Sequence, residues 1–311
     1  MSDFKKEYIE LRKIIIAIVL IAAVIFYISE NIPKSSPNSD KLNADSFTVY
    51  CFDVGQADAI FIDMPSADVL IDAGNNSDGV YIVSQLHKMG VEKIDYLIGT
   101  HPHEDHIGGM DDVVENMEIG KIYLPETSKN DTPKTKTYKD LLNAIDDKGY
   151  HTTYAEAGDT VFEGENLKFE ILAPSSTDYG DLNAYSIVTK LSFYETEILF
   201  MGDAEQEIEQ DILRSGADID ADIIKVGHHG SRTSSSDEFI DQTDAECAII
   251  SCGTDNTYGH PHDKTLKKLK EYSIKTYRTD LLGTVIIECD KVGYEIRTDK
   301  KLCLDGGILN D

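Results

Sequence analysis

Apolar residues recur along this chain in short bursts, and the first burst differs from all the others. Residues 14–28 (IIIAIVLIAAVIFYI) form an unbroken apolar run, with Arg12 and Lys13 before it and Glu30 and Pro33 after it. A run without a polar face does not suit a helix lying on a globular core. It is shorter than the roughly 20 residues that usually span a bilayer, but flanking side chains can extend its reach. It also fits the hydrophobic region of a secretory signal, yet Phe26-Tyr27-Ile28-Ser29-Glu30 offers no small-x-small cleavage site. We therefore expect an uncleaved, single-pass signal anchor at 14–28, with residues 1–13 cytoplasmic and the rest outside the cell membrane. Cleavage would instead give a secreted protein. Residues 29–45 are rich in Ser, Pro and Asn and read as a tether.

Beyond residue 45 the pattern becomes that of a mixed domain, expected over 46–298. Phe47–Phe52, Ala59–Ile62, Val69–Ile71, Ile94–Gly99 and Lys121–Leu124 read as short buried strands. Residues 79–90 have helical spacing and stop on Gly90, and Met110–Met117 reads as a second helix. The second half follows the same order. Leu167–Leu172, Tyr185–Ser192, Glu197–Met201, Ile223–Val226, Ala248–Ser251 and Gly283–Glu288 predict strands, and 204–214 and Lys264–Tyr272 predict helices. Residues 126–140 read as a loop. Interleaved strands and helices imply an α/β sandwich of sheets covered by helices. Residues 299–311 carry no signal.

Composition changes the picture in one respect. The apolar share of 41% suits an ordinary globular core, but 57 Asp and Glu against 29 Lys and Arg give a net charge of −28. No basic stripe is present, which excludes non-specific nucleic-acid binding through a cationic face. Bound cations are one way to reverse such a charge locally. The cysteines (Cys51, Cys247, Cys252, Cys289 and Cys303) lack close pairing, so a structural zinc site is not indicated. Their odd number leaves at least one free thiol outside the cell, and most are expected to pack as small strand hydrophobes.

The densest chemistry is His101-Pro-His103-Glu-Asp105-His106, directly after an apolar strand. Imidazole and carboxylate donors this close can serve two neighbouring ions, and the mixture suits zinc, with manganese or iron as alternatives. Gly108-Gly109 follows and is expected to let the backbone turn sharply. One loop cannot close two coordination shells. Further donors follow other strands: Asp203 after Leu199–Met201, His228 and His229 after Ile223–Val226, and His260 and His262 in Tyr258-Gly-His260-Pro-His262.

The His-x-His-x-Asp-His run resembles the metallo-β-lactamase superfamily. The surrounding motifs are similar to one branch, the extracytoplasmic hydrolase domain of ComEC-type DNA-uptake (competence) proteins. They are Phe52-Asp-Val-Gly-Gln-Ala-Asp-Ala59, Leu70-Ile-Asp-Ala-Gly74, Gly99–Gly109, Gly202-Asp-Ala-Glu205, Lys225-Val-Gly-His-His-Gly-Ser231 and Tyr258-Gly-His-Pro261. The resemblance implies a four-layer αββα sandwich with metals between the two sheets. It implies His101 and His103 on a first metal, Asp105, His106 and His228 on a second, and Asp203 bridging. Either His228 or His229 could be that ligand. Asp53, Asp58 and Asp72 occupy motif positions that orient ligands or shape the site. Two positions depart from the wider pattern. Asn183 stands where many members carry a third histidine for the first metal, and Ala57 stands where relatives usually carry glycine. The many membrane segments of an uptake channel have no counterpart here.

Two cations sharing a water would make it acidic enough to act near neutral pH. Asp105 or Asp203 would accept its proton, while His229 and His260 are candidates for holding a substrate oxygen or protonating the leaving group. These features predict a phosphodiesterase, with DNA or an envelope polymer as its phosphoester. Rivals are a phosphocholine-type envelope esterase, a β-lactam or lactone hydrolase, and a non-enzymatic, metal-stabilised interaction module.

Overall fold

A computed structural model of the chain describes residues 46–300, and these fall within one compact unit. The expected anchor at 14–28, the tether at 29–45 and Cys303 lie outside the described residues. Among the described residues no helix is long and apolar enough to cross a membrane.

The strands, in chain order, are β1 (Ser46–Cys51), β2 (Ile60–Asp63), β3 (Asp68–Ile71), β4 (Lys93–Ile98), β5 (Glu118–Pro125), β6 (Thr152–Ala155), β7 (Thr160–Gly164) and β8 (Leu167–Ala173). They continue with β9 (Val188–Phe193), β10 (Thr196–Phe200), β11 (Ile223–Lys225), β12 (Cys247–Ile250), β13 (Lys275–Arg278), β14 (Val285–Asp290) and β15 (Tyr294–Thr298). They form two mixed sheets, ordered β15-β14-β1-β2-β3-β4-β5-β6 and β13-β12-β11-β10-β9-β8-β7. β3 through β6 run parallel, as do β10 through β13. The strands flanking them pair antiparallel.

Side-chain alternation assigns each strand face. Phe47, Val49, Ile62, Val69, Ile71 and Ile98 of the first sheet meet Phe169, Leu191, Ile198, Phe200 and Ile223 of the second in one buried cluster between the sheets. The intervening residues face outward: Phe61, Leu70 and Leu97 on one side, Leu199, Ile224 and Ala248 on the other. Helices cover both outer faces. α1 (Gly79–Met89), α3 (Met110–Asn116) and α4 (Lys136–Asp147) lie on the first, contributing Ile82, Leu86, Val113 and Leu141. α5 (Gln206–Ser215), α6 (Asp237–Thr243) and α7 (Asp263–Glu271) lie on the second, contributing Ile208, Ile212, Phe239 and Leu269. The order helix, sheet, sheet, helix is the α/β sandwich expected. The near-continuous burial of strands such as β11 and β12 is what parallel strands covered on both faces require.

Some elements differ from expectation. The stretch read as a loop over 126–140 holds the first turn of α4, whose start is fixed by Thr135 Oγ1 accepting the Tyr138 N–H. β6, β7, β13, β15 and α6 are short elements without strong periodicity. The strand expected from Tyr185 begins at Val188, because Asn183–Tyr185 close a 3-10 turn first. Cys51, Cys247, Cys252 and Cys289 are free and buried.

Candidate metal centre

The parallel strands of both sheets release their loops at one edge. Asp72 follows β3, and His101 follows β4 after Gly99-Thr100. Asp203 follows β10, His228 and His229 follow β11, and Ser251 follows β12. The short helix α2 (Glu104–Ile107) carries Asp105 and His106, with His103 at its N-terminus in extended conformation. Gly108 and Gly109 do not provide a sharp turn, since Gly108 is helical and Gly109 has φ −90°. Their role is close approach. A Cβ on Gly108 would lie 2.3 Å from the Asn76 nitrogen, and one on Gly109 2.4 Å from the Ala73 oxygen. Only bare backbone lets the donor loop pack against residues 73–76.

Asp203 is the hub, buried, with its backbone N–H donating to Ser186 Oγ at 3.1 Å. Its Oδ1 lies 3.3 Å from His106 Nε2 and 3.6 Å from His229 Nε2, and Asp105 Oδ2 lies 3.4 Å from the same His229 nitrogen. Its Oδ2 lies 3.9 Å from His101 Nε2 and 3.7 Å from His228 Nε2. His103 Nδ1 is 3.0 Å from His101 Nε2. Two donor sets thus share one carboxylate.

Each histidine around Asp203 is oriented through its other ring nitrogen. His106 Nδ1 meets Asp72 Oδ2 at 2.7 Å, and Asp72 accepts the Thr100 N–H and hydroxyl at 2.8 and 2.7 Å. His101 Nδ1 meets Thr100 Oγ1 at 3.1 Å. His229 Nδ1 donates to the Ser251 carbonyl at 3.0 Å. His228 Nδ1 meets Glu205 Oε1 at 2.9 Å, and Glu205 also accepts the Thr233 hydroxyl. Such outer partners fix ring tautomer and aim, as they do around metal-ligating histidines. Deeper still, Lys225 Nζ lies 2.7 Å from Asp58 Oδ2, both fully buried, while Asp58 Oδ1 stands 3.5 Å from His229 Nδ1.

The donor chemistry fits cations. His106 Nε2, Asp203 Oδ1 and His229 Nε2 are buried with no hydrogen-bond partner, a costly state unless another group satisfies them. Donor atoms of His101/His106/Asp203, of Asp105/His106/His229 and of Asp58/Asp203/His229 form triads within 4.8 Å. The carboxylates draw positive charge inward. Burial pushes His229 down, yet Asp203, Asp105 and Asp58 carry it up to about 10. Burial raises the Asp105 carboxyl, but His229 and His106 bring it down to about 2. Burial and the neighbouring His106 hold His101 well below its ordinary value. Divalent cations answer the same demand for positive charge.

The expected residues His101, His103, Asp105, His106 and Asp203 therefore converge. His228 and His229 divide: His229 stands beside Asp105 and His106, where His228 is expected, and His228 stands on the Oδ2 side with His101. His229 is also too enclosed, at 1% exposure, to meet a leaving group freely. His260 packs against His228, ring centroids 5.3 Å apart, and its Nδ1 is buried without a partner. Asn183 is buried with Oδ1 unpartnered, three residues before Ser186. Ala57 is fully buried, and Asp53 pairs with Lys300 at 3.5 Å. Thr100, Glu205, Lys225 and Ser251 orient the centre; the first three share a motif with a donor, whereas Ser251 is signalled only as the end of a strand.

Residues 52–254 match the model of the metallo-beta-lactamase superfamily. The chain is 32% identical over 251 residues to ComE operon protein 3 of Bacillus subtilis (strain 168), covering 75% of this chain and 32% of that protein. It is 26% identical over 271 residues to Competence protein ComA of Neisseria gonorrhoeae, covering 86% and 35%. The chain thus spans about a third of the length of these relatives. Among solved structures, the metallo-beta-lactamase fold protein YhfI of Bacillus subtilis superposes with a TM-score of 0.52 at 12% identity, covering 79% of this chain and all of that one (100%). CmlA, a diiron beta-hydroxylase from Streptomyces venezuelae, gives 0.51 at 15%, covering 79% and 54%. These two likenesses concern the fold alone. From the matched span, together with the sandwich and the donors at its edge, the chain belongs to the metallo-β-lactamase superfamily and is related within it to the competence proteins.

Proposed function

We propose that this chain is a binuclear metal-dependent phosphodiesterase. Three buried atoms without partners carry the metal part of the proposal: His106 Nε2, Asp203 Oδ1 and His229 Nε2, whose residues belong to overlapping donor triads where cations would satisfy them. In this assignment His101, His103, His228 and Asp203 would hold one divalent ion, and Asp105, His106 and His229, with Asp203 shared, would hold the other. Zinc suits the nitrogen-rich set best, with manganese or iron as alternatives. Two bound cations supply Lewis-acid polarisation of a phosphoryl group and an acidified water. Asp105, whose side chain is 29% exposed, is the carboxylate best placed to take a proton from the solvent side. His260, at the mouth beside His228, holds a substrate oxygen through its ring N–H. The relatives' names, competence proteins, favour DNA as the phosphoester, and an anchor at 14–28 would place the centre outside the membrane.

Hydrolysis of bis(p-nitrophenyl) phosphate by the full chain, with zinc or manganese and with Asp203→Ala as control, tests this. Metal-dependent turnover that vanishes in the variant supports phosphodiester chemistry. Two bound metals with turnover only of nitrocefin, a lactone or glycerophosphocholine would replace it with the corresponding rival. A chain that binds no metal would leave an interaction module.

A further inference from the structure

Three aromatic rings run outward from the metal centre in a near-parallel series. His229, beside Asp203, lies 6.4 Å from His260 with 26° between ring planes, and His260 lies 5.7 Å from Tyr258 with 23° between planes. Exposure rises along the series from 1% at His229 to 8% at His260 and 66% at Tyr258. The outermost ring therefore presents an open face to solvent. Its loop is tied down: Asn256 Nδ2 donates to the Gly253 carbonyl at 2.8 Å, its Oδ1 accepts the His260 N–H at 3.0 Å, and Gly253 N–H donates to Gln56 Oε1 at 3.1 Å. A phenol held firmly with two-thirds of its surface in water contributes little to the core. It is already ordered for a flat partner.

We propose that Tyr258 is a stacking platform for an unpaired nucleobase of the substrate, close to the phosphodiester at the metal centre. Only two centroid steps, 6.4 and 5.7 Å, separate the Tyr258 ring from His229 beside the metal centre, so the base it meets belongs to a nucleotide close to the scissile phosphodiester. Stacking on an aromatic face is tolerant of base identity. The net charge of −28 opposes a long duplex lying along the surface, so a short unpaired stretch or a strand end is the form that fits. This assignment rests on the phosphodiesterase proposal and narrows its substrate to single-stranded nucleic acid over envelope phosphoesters lacking a planar base.

The test separates recognition from turnover. Binding of a fluorescein-labelled oligothymidylate and of an abasic oligomer of equal length, both phosphorothioate-linked to resist cleavage, is measured by anisotropy with the full chain loaded with manganese. The expected result is a roughly ten-fold preference for the base-bearing strand, kept by Tyr258→Phe and lost in Tyr258→Ala. A merely structural tyrosine would change both affinities together and leave their ratio alone. No preference in the parent, or a preference that survives Tyr258→Ala, overturns the proposal. Hydrolysis of the same two sequences as ordinary phosphodiesters reads the phosphodiesterase proposal separately. Absent turnover alongside a Tyr258-dependent binding preference would remove the enzyme and keep the platform.

Discussion

His228 and His229 are consecutive, yet their Nε2 atoms flank opposite oxygens of Asp203, at 3.7 Å from Oδ2 and 3.6 Å from Oδ1. In an extended strand neighbouring side chains point to opposite faces. Both residues here adopt left-handed backbone, φ/ψ 50°/48° and 50°/26°, a conformation uncommon outside glycine. The pair is held there by the His228 N–H donating to the Gly202 carbonyl at 3.1 Å and by His229 Nδ1 on Ser251. Strain of this kind, on the order of 1–3 kcal/mol per residue, persists where surrounding contacts over-determine it, commonly at functional sites.

The two variants should therefore differ in which ion they lose. His229→Ala removes the nitrogen nearest Asp105 and His106, so the chain is expected to fall from two bound zinc ions to one after dialysis. His228→Ala, lacking only the nitrogen on the Oδ2 side, should keep the ion beside Asp105. Elemental analysis with cobalt spectra of each variant distinguishes them. Identical spectra and stoichiometry would remove the division.

Asp72 acts through His106 and Thr100. Replacing it with Asn keeps its shape and its left-handed backbone, φ 59°, which Asn tolerates well. It removes the charge that aligns His106. Metal affinity, read by chelator competition, should fall about 10- to 100-fold while the thermal transition without metal stays near the parent value. An unchanged affinity would mean that His106 is aimed by packing alone.

Gly109→Ala tests close approach. The new methyl would meet the Ala73 oxygen at 2.4 Å and the Gly79 Cα at 2.6 Å, both backbone, so overpacking of about 1–3 kcal/mol is expected. Gly90→Ala meets nothing within 4 Å and strains only φ at 84°, for about 1 kcal/mol. Thermal unfolding of the two variants should rank them in that order, and Gly109→Ala alone should also weaken metal binding.

That contrast shows what the sequence carried. The donor loop, Asp203 and the strands behind them were legible because apolar bursts ending in His or Asp are unusual and local. The reason for Gly108-Gly109 was not, because it lies in the approach of residues 73–76, distant in sequence. The division between His228 and His229 was hidden similarly, since it depends on two positive φ angles that no residue type announces. α4 was missed because polar Lys136 to Lys139 mask the Leu141, Ala144 and Ile145 face that buries it.

At the end of β3 opposite Asp72, Asp68 stands across the hairpin from Asp63, and its N–H donates to Asp95 Oδ2 at 3.0 Å. Burial, then the charges of Asp63 and Asp95, push its carboxyl up to about 7 from an ordinary 3.8. A raised carboxyl keeps its proton in the folded chain after the unfolded chain has lost it. Stability is therefore lost as pH rises from about 4 to about 7, and the full penalty remains above that. Asp68→Asn should raise the melting temperature at pH 8 and much less at pH 4.5. An equal gain at both values would point to packing instead of charge.

Lys225 reaches from the second sheet to Asp58 in the β1–β2 loop of the first, burying both charges beside His229. A buried pair is a poor source of net stability, yet removing one partner strands the other charge and costs about 3–5 kcal/mol. Lys225→Met should therefore destabilise the chain by that order in urea titration, and adding Asp58→Asn should restore more than half of the loss. The same double variant should still bind metal more weakly than the parent, because Asp58 Oδ1 faces His229 Nδ1 at 3.5 Å and helps aim it. A Lys225→Met chain within 1 kcal/mol of the parent would show that Asp58 takes up a proton when left alone. Lys225 would then be an anchor for the Val226 carbonyl, which it also meets at 3.1 Å, and not the counter-charge of the centre.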